Sequence, residues 1–182
     1  MIGKLIEVAS SSPTSAQSTV SLTGINDNSV YICTFINLQT TSDTKNMRFR
    51  VTKASDSSAD NTTNYNKATR SLRTDTSFNN GTGIDSTSWS ISNTGTGTQE
   101  ITNGILHLYQ FFDSGHDSYI SDEVVYRHSS SSTLFGQMGG GVHNVHQSNN
   151  GIQFFENSGD TFTGTFTLYR VVSSWVIFLK MQ

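Results

Sequence analysis

Few side chains in this sequence are equipped for chemistry, and their spacing argues against most of it. His143 and His146 stand three positions apart, with His116 and His128 upstream. In a strand, positions i and i+3 face opposite sides of the sheet, and no cysteine or carboxylate stands beside them at ligand spacing, so no metal is expected. Asp122 and Glu123, with Asp113 and Asp117, are the candidates for a glycosidase pair, which needs two carboxyl groups roughly 5–9 Å apart. Neighbouring acids on a strand diverge. No catalytic residue is therefore assigned, and the chain is read as a non-enzyme.

Gly139-Gly140-Gly141 lacks the lysine and the following helix of a phosphate cradle. There is no G-x-S-x-G elbow, P-loop, H-E-x-x-H or dinucleotide fingerprint, so no cofactor is expected. Cys33 lies inside the apolar run from Val30 to Leu38 and reads as a small buried hydrophobe; as the sole cysteine it has no disulfide partner. Trp89, Tyr65, Tyr119 and Tyr126 are candidates for an aromatic platform that recognises sugars.

The elements that must carry these residues are strands. Met47, Phe49 and Val51 alternate with Arg48, Arg50 and Thr52, and Ile105, His107 and Tyr109 alternate with Leu106 and Leu108, which is the period of two that a pleated strand imposes. Strands are expected at 4–8, 18–23, 30–38, 47–53, 86–91, 104–112, 119–127, 151–156, 161–172 and 175–181. Asn80-Gly81, Asn103-Gly104, Asn150-Gly151, Ser114-Gly115 and Ser158-Gly159 read as tight turns. Loops are expected over Ala54 to Asn64, Asn93 to Gln99 and Ser129 to Gly141; no segment of ten or more residues shows helical periodicity, although Thr62 to Leu72 could hold a turn of helix. The fold class is thus all-β: an antiparallel two-sheet β-sandwich, jelly-roll-like, spanning residues 1–172, with an apolar C-terminal extension over 173–182.

The 182 residues are long enough to bury one core without a disulfide, and a net charge of −3 with only 14% charged residues is too weak and too balanced for a nucleic-acid groove. No partner nucleic acid is expected. The N-terminus lacks the apolar stretch of a signal peptide and no apolar run approaches the length of a membrane span, so a soluble protein made in a cytoplasm, with no membrane partner, is expected.

From Gly151 to Arg170 the sequence GIQFFENSGDTFTGTFTLYR resembles a closing hairpin of jelly-roll virion proteins of marine tailed bacteriophages. Its return strand should bury Phe162, Phe166 and Leu168, with a bulge or a close neighbour at Gly164. The opening resembles the same group: Leu5-Ile6-Glu7, a Ser/Thr-rich link, Val20 to Ile25, Tyr31 to Asn37, and Met47 to Arg50. Where the group typically ends in a Leu-Tyr-Gly strand, Arg170 stands here and further residues follow.

That extension is the sharpest feature of the sequence. Trp175, Ile177 and Leu179 would face one way in a strand and Val176 and Phe178 the other, so both faces are apolar, whereas a sandwich strand normally keeps one face wet. Another chain is expected to cover these five residues, either a sister subunit or a larger assembly, and deleting 173–182 is expected to leave a folded monomer. The resemblance implies a virion structural protein, most simply a capsid decoration (cement) protein that forms a homotrimer and binds the major capsid protein. The alternative is a receptor- or carbohydrate-binding module of a tail or head fibre, with a host glycan as partner.

Overall fold

A computed structural model describes residues 2–131 and 133–174. Among them are twelve strands and no helix: β1 (Ile2–Ser11), β2 (Thr19–Thr23), β3 (Tyr31–Thr40), β4 (Lys45–Lys53), β5 (Tyr65–Arg73), β6 (Phe78–Ser86), β7 (Trp89–Thr94), β8 (Thr102–Tyr109), β9 (Ser118–Arg127), β10 (Leu134–His143), β11 (Asn149–Glu156) and β12 (Phe162–Ser174). They form two antiparallel sheets, one ordered β1-β12-β3-β8-β9-β10-β5-β6 and the other β2-β11-β4-β7. If β5, β6, β9 and β10 are set aside, the eight remaining strands, renumbered in chain order, run 1-8-3-6 and 2-7-4-5. That order is two Greek keys rolled into a jelly roll. The four inserted strands extend the larger sheet beyond β8, past β7, the edge of the smaller one.

The core lies between the sheets because the alternation puts one row of each strand there. Tyr31, Cys33 and Phe35 of β3, Leu106 and Leu108 of β8, Met47, Phe49 and Val51 of β4, and Phe162, Phe166 and Leu168 of β12 are all fully buried. Aromatic rings cross the seam: Phe154 of the smaller sheet packs 5.7 Å from Phe35 and 4.8 Å from Phe166, and Trp89, 5.1 Å from Phe49 in its own sheet, sits 4.8 Å edge-on to Tyr65. Burial in this core pushes the Cys33 thiol far above its ordinary value, so it is an inert filler. At Gly164 the expected close neighbour is found, since a Cβ there would stand 3.2 Å from the Leu38 Cα, and the bulge lies opposite it on β3, where Asn37 takes φ 54°.

Three expectations are corrected. Thr62 to Leu72 holds no helical turn; from Tyr65 onward it is β5. Ser129 to Gly141 is a loop only at its start, since β10 begins at Leu134. Among the five glycine dipeptides, Ser114-Gly115 and Ser158-Gly159 are turns, the latter with Gly159 at φ 84°, but the three Asn-Gly pairs lie inside β6, β8 and β11. Close approach, not a turn, accounts for two of these glycines. A Cβ on Gly104 would stand 2.3 Å from the Phe35 ring, and one on Gly151 would stand 2.0 Å from the Leu22 carbonyl oxygen. The latter clash is with backbone, which has no rotamer to yield. Gly151→Ala is expected to destabilise the fold by about 3 kcal/mol, read as a lower denaturant midpoint; a midpoint unchanged from the parent would contradict this packing.

The loop over 54–64 is as expected, apart from an isolated bridge between Ala59 and Thr52, and the second loop begins only after Thr94. β12 continues through Ser174, which pairs with Ile2, so it takes in the first two residues assigned to the extension. The strand expected at 175–181 lies outside the described residues, as do Trp175, Val176, Ile177, Phe178 and Leu179.

Candidate functional site

The outer face of the larger sheet is apolar where a sandwich should be wet. Ile36 of β3, Ile105 of β8, Val125 of β9, Leu134 and Met138 of β10, Leu72 of β5 and Phe78 of β6 all project from it, with Met138 59% and Leu72 57% exposed. Register explains why they converge. Gly136 of β10 stands between Val125 and Leu72, Met138 stands between Glu123 and Arg70, and Leu72 faces Phe78. Gly136 supplies no side chain, so Ile36, Ile105, Val125, Leu72 and Met138 become the walls of a groove of about 530 Å³ floored by backbone. From β3 to β6 the patch crosses six strands, roughly 24 Å at about 4.8 Å per gap. Soluble monomers rarely expose a contiguous apolar surface on this scale. Charges interrupt it: Glu123, Arg127 opposite Leu134, and Arg70, whose guanidinium lies 4.0 Å from the centre of the Phe78 ring. Past Met138 the face continues over Gly140 to Val142, Tyr119 and Ile84.

The inner face of the same inserted strands adds Tyr65, Ile120, Val124, Tyr126 and Phe135 to the core but also carries a polar cluster. Lys67 of β5 and Asp122 of β9 meet 3.2 Å apart in the interior, their side chains 9% and 1% exposed. The strand between them is β10, whose inward positions there are Gly139 and Gly141, so nothing separates ammonium from carboxylate. A Cβ on Gly141 would also stand 2.5 Å from the Trp89 indole nitrogen. The glycine run is therefore a strand stripped of side chains on both faces: inward for the ion pair and Trp89, outward where the apolar face continues over Gly140. Lys67 also donates to the Ser90 carbonyl, and the Gln137 amide donates to Asp122 at 2.9 Å. Burial pushes the Lys67 ammonium below its ordinary value, with Asp122 opposing that shift.

The remaining candidate residues fall apart. Asp122 is buried while Glu123, its neighbour, is exposed on the opposite face, so the two share no site. Asp113 accepts the Gly115 N–H at 2.8 Å and sits 3.0 Å from the His116 ring, and Asp117 sits 3.4 Å from His146. His143 is fully buried against Tyr65 and Trp89 with its Nε2 3.4 Å from Asp60, whereas His146 is 66% exposed. Burial pushes the His143 imidazole down. Among the described residues no three His, Cys, Asp or Glu side chains gather as metal ligands. The sugar platform is corrected outright: Trp89 and Tyr65 are fully buried and Tyr126 is 7% exposed, which leaves Tyr119 alone at the surface. Large aromatics went to the core because the sandwich needed their volume across its seam.

Sequence reasoning missed the outer face, although a signal for it was present. Phe35-Ile36 and Val124-Val125 are adjacent apolar pairs inside strands, and adjacency in a strand means both faces are apolar.

The fold and this face define a class: a jelly-roll β-sandwich with an enlarged sheet and an apolar exterior. No family model, curated protein or solved structure matches the chain. No helix among the described residues is long and apolar enough to cross a membrane.

Proposed function

We propose that this chain is a non-enzymatic structural protein of a phage virion, a capsid decoration protein that self-associates as a homotrimer and clamps neighbouring copies of the major capsid protein. The observation that carries the reading is the apolar outer face of the larger sheet, centred on Leu72, Val125 and Met138. Its occupant is a second copy of the chain. Glu123 and Arg70 flank Met138 on opposite sides, so a neighbouring copy can set its Arg70 against this Glu123 while the apolar side chains close between them. The apolar run Trp175 to Leu179 would then be left to engage the capsid lattice. Binding the assembled lattice but not its free subunits stabilises the lattice by mass action.

Sedimentation velocity on the purified chain, together with capsids stripped of it, tests the reading. The full chain is expected to sediment as a trimer and to raise the temperature at which capsids rupture. A chain lacking 175–182 is expected to remain folded but to leave that temperature unchanged. A full chain that stays monomeric at tens of micromolar, or that leaves capsids unaltered, overturns the proposal.

A further inference from the structure

On the side of the inserted strands opposite the apolar face, the larger sheet overhangs β7, the edge of the smaller one, and the space beneath the overhang is a polar cleft. One chamber, of about 400 Å³, is lined by Asn46, Arg73, Asn79, Asn93 and Gln137 among others. A second, of about 240 Å³, is lined by Arg48, Lys67 and Thr69 and shares Ser90 and Gln137 with the first. Together they approach the size of a small-molecule site. No carboxylate appears among the described residues that line either chamber. The jelly-roll strands alone would not make this space, because the overhang consists of β5, β6 and β10.

Two buried atoms in the larger chamber lack partners, and they are of opposite kind: the Arg73 Nε–H is a donor and the Asn93 Oδ1 is an acceptor. Leaving either one unmet in the interior is costly, so both favour a ligand that offers an acceptor and a hydroxyl. Arg73 is already set in place for this. Its Nη2 is held by Asp75, and its guanidinium lies 4.8 Å from the centre of the Phe135 ring, which is itself stacked on Tyr126 at 5.0 Å. His128 closes the same chamber, and burial together with Arg73 pushes its imidazole down.

We propose that this cleft binds an acidic saccharide, its carboxylate on Arg73 and its hydroxyls on Asn79, Asn93 and Gln137. Amide and hydroxyl linings exchange hydrogen bonds with sugar hydroxyls in both directions, whereas a polyphosphate would need more cations than this chamber supplies, and an apolar ligand would leave the donors unmet. The inference is independent of trimer formation, since the cleft and the apolar groove lie on opposite faces of the same strands.

Isothermal titration with trigalacturonate and 3′-sialyllactose, each beside its neutral counterpart (the methyl ester and lactose), tests it on the full chain. At least one acidic sugar is expected to bind at least tenfold more tightly than its neutral form and to weaken as salt is raised. Arg73→Gln is expected to weaken that binding at least tenfold. Asn79→Ala, at an exposed position, is expected to weaken it at least threefold with an unchanged melting temperature, and this variant decides the matter if Arg73→Gln fails to fold. Equal binding of acidic and neutral sugars, binding untouched by these variants, or no binding of any of the four at millimolar concentration overturns the proposal. Sedimentation of the same variants should be unchanged, so failure here leaves the decoration role standing.

Discussion

Replacing Lys67 with methionine is expected to cost about 3–5 kcal/mol of folding stability, because it strands the Asp122 carboxylate in the interior without its counter-ion. Asp122 is nearly solvent-free, and one of its oxygens already lacks a partner. A domain with a total stability of about 5–15 kcal/mol cannot absorb such a loss without a visible fall in melting temperature, on the order of 10 °C for a chain of this length. The companion experiment separates pairing from packing. Lys67→Met combined with Asp122→Leu removes both charges and fills the space with apolar atoms, and it is expected to recover most of the loss, since buried ion pairs often contribute little against a well-packed apolar replacement. Thermal melts of the parent, both single variants and the double variant complete the cycle. A Lys67→Met protein that melts within a degree or two of the parent would mean that water reaches the pair.

Placing carboxylates on the outer face should have an equally large effect on assembly and almost none on the fold. Met138→Glu with Leu72→Glu alters two exposed side chains, so the melting temperature of the isolated subunit is expected to stay within the small range of surface substitutions. In the trimer those side chains would be buried against a neighbour, each contributing roughly 1.5–3 kcal/mol, so the pair of changes is expected to weaken association by about 10²–10⁴-fold. Sedimentation would then report a folded monomer at concentrations where the parent is trimeric. If the doubly substituted chain still sediments as the parent does, the groove over Gly136 is not the contact between copies.

The parts of the fold legible in the sequence are those where one strand face is apolar and the other is not. Met47-Arg48-Phe49-Arg50-Val51 announces β4, and Phe162, Phe166 and Leu168 announce the closing strand, because each residue's burial follows from the strand's own period. The inserted strands gave no such signal. β5 reads Tyr-Asn-Lys-Ala-Thr-Arg-Ser-Leu-Arg, and its inward row holds Lys67, Ser71 and Arg73, whose places in the interior depend on Asp122, Gln137 and a cleft that other strands provide. β10 was hidden for a second reason: glycine disfavours strands in isolation and is tolerated here because neighbours press close on the inner side. The Asn-Gly pairs misled for the same cause, since a glycine needed for close approach looks identical in sequence to one needed for a turn.

Sequence by itself therefore determined the all-β character, the sandwich and its principal core rows, because period-two alternation is a local property of each strand. Tertiary structure decided which apolar residues stay outside, which ions are paired within and where a polar cleft opens. Those outcomes depend on the registers of β3, β8, β9, β10, β5 and β6 relative to one another, and a register is a relation between segments that no single segment encodes.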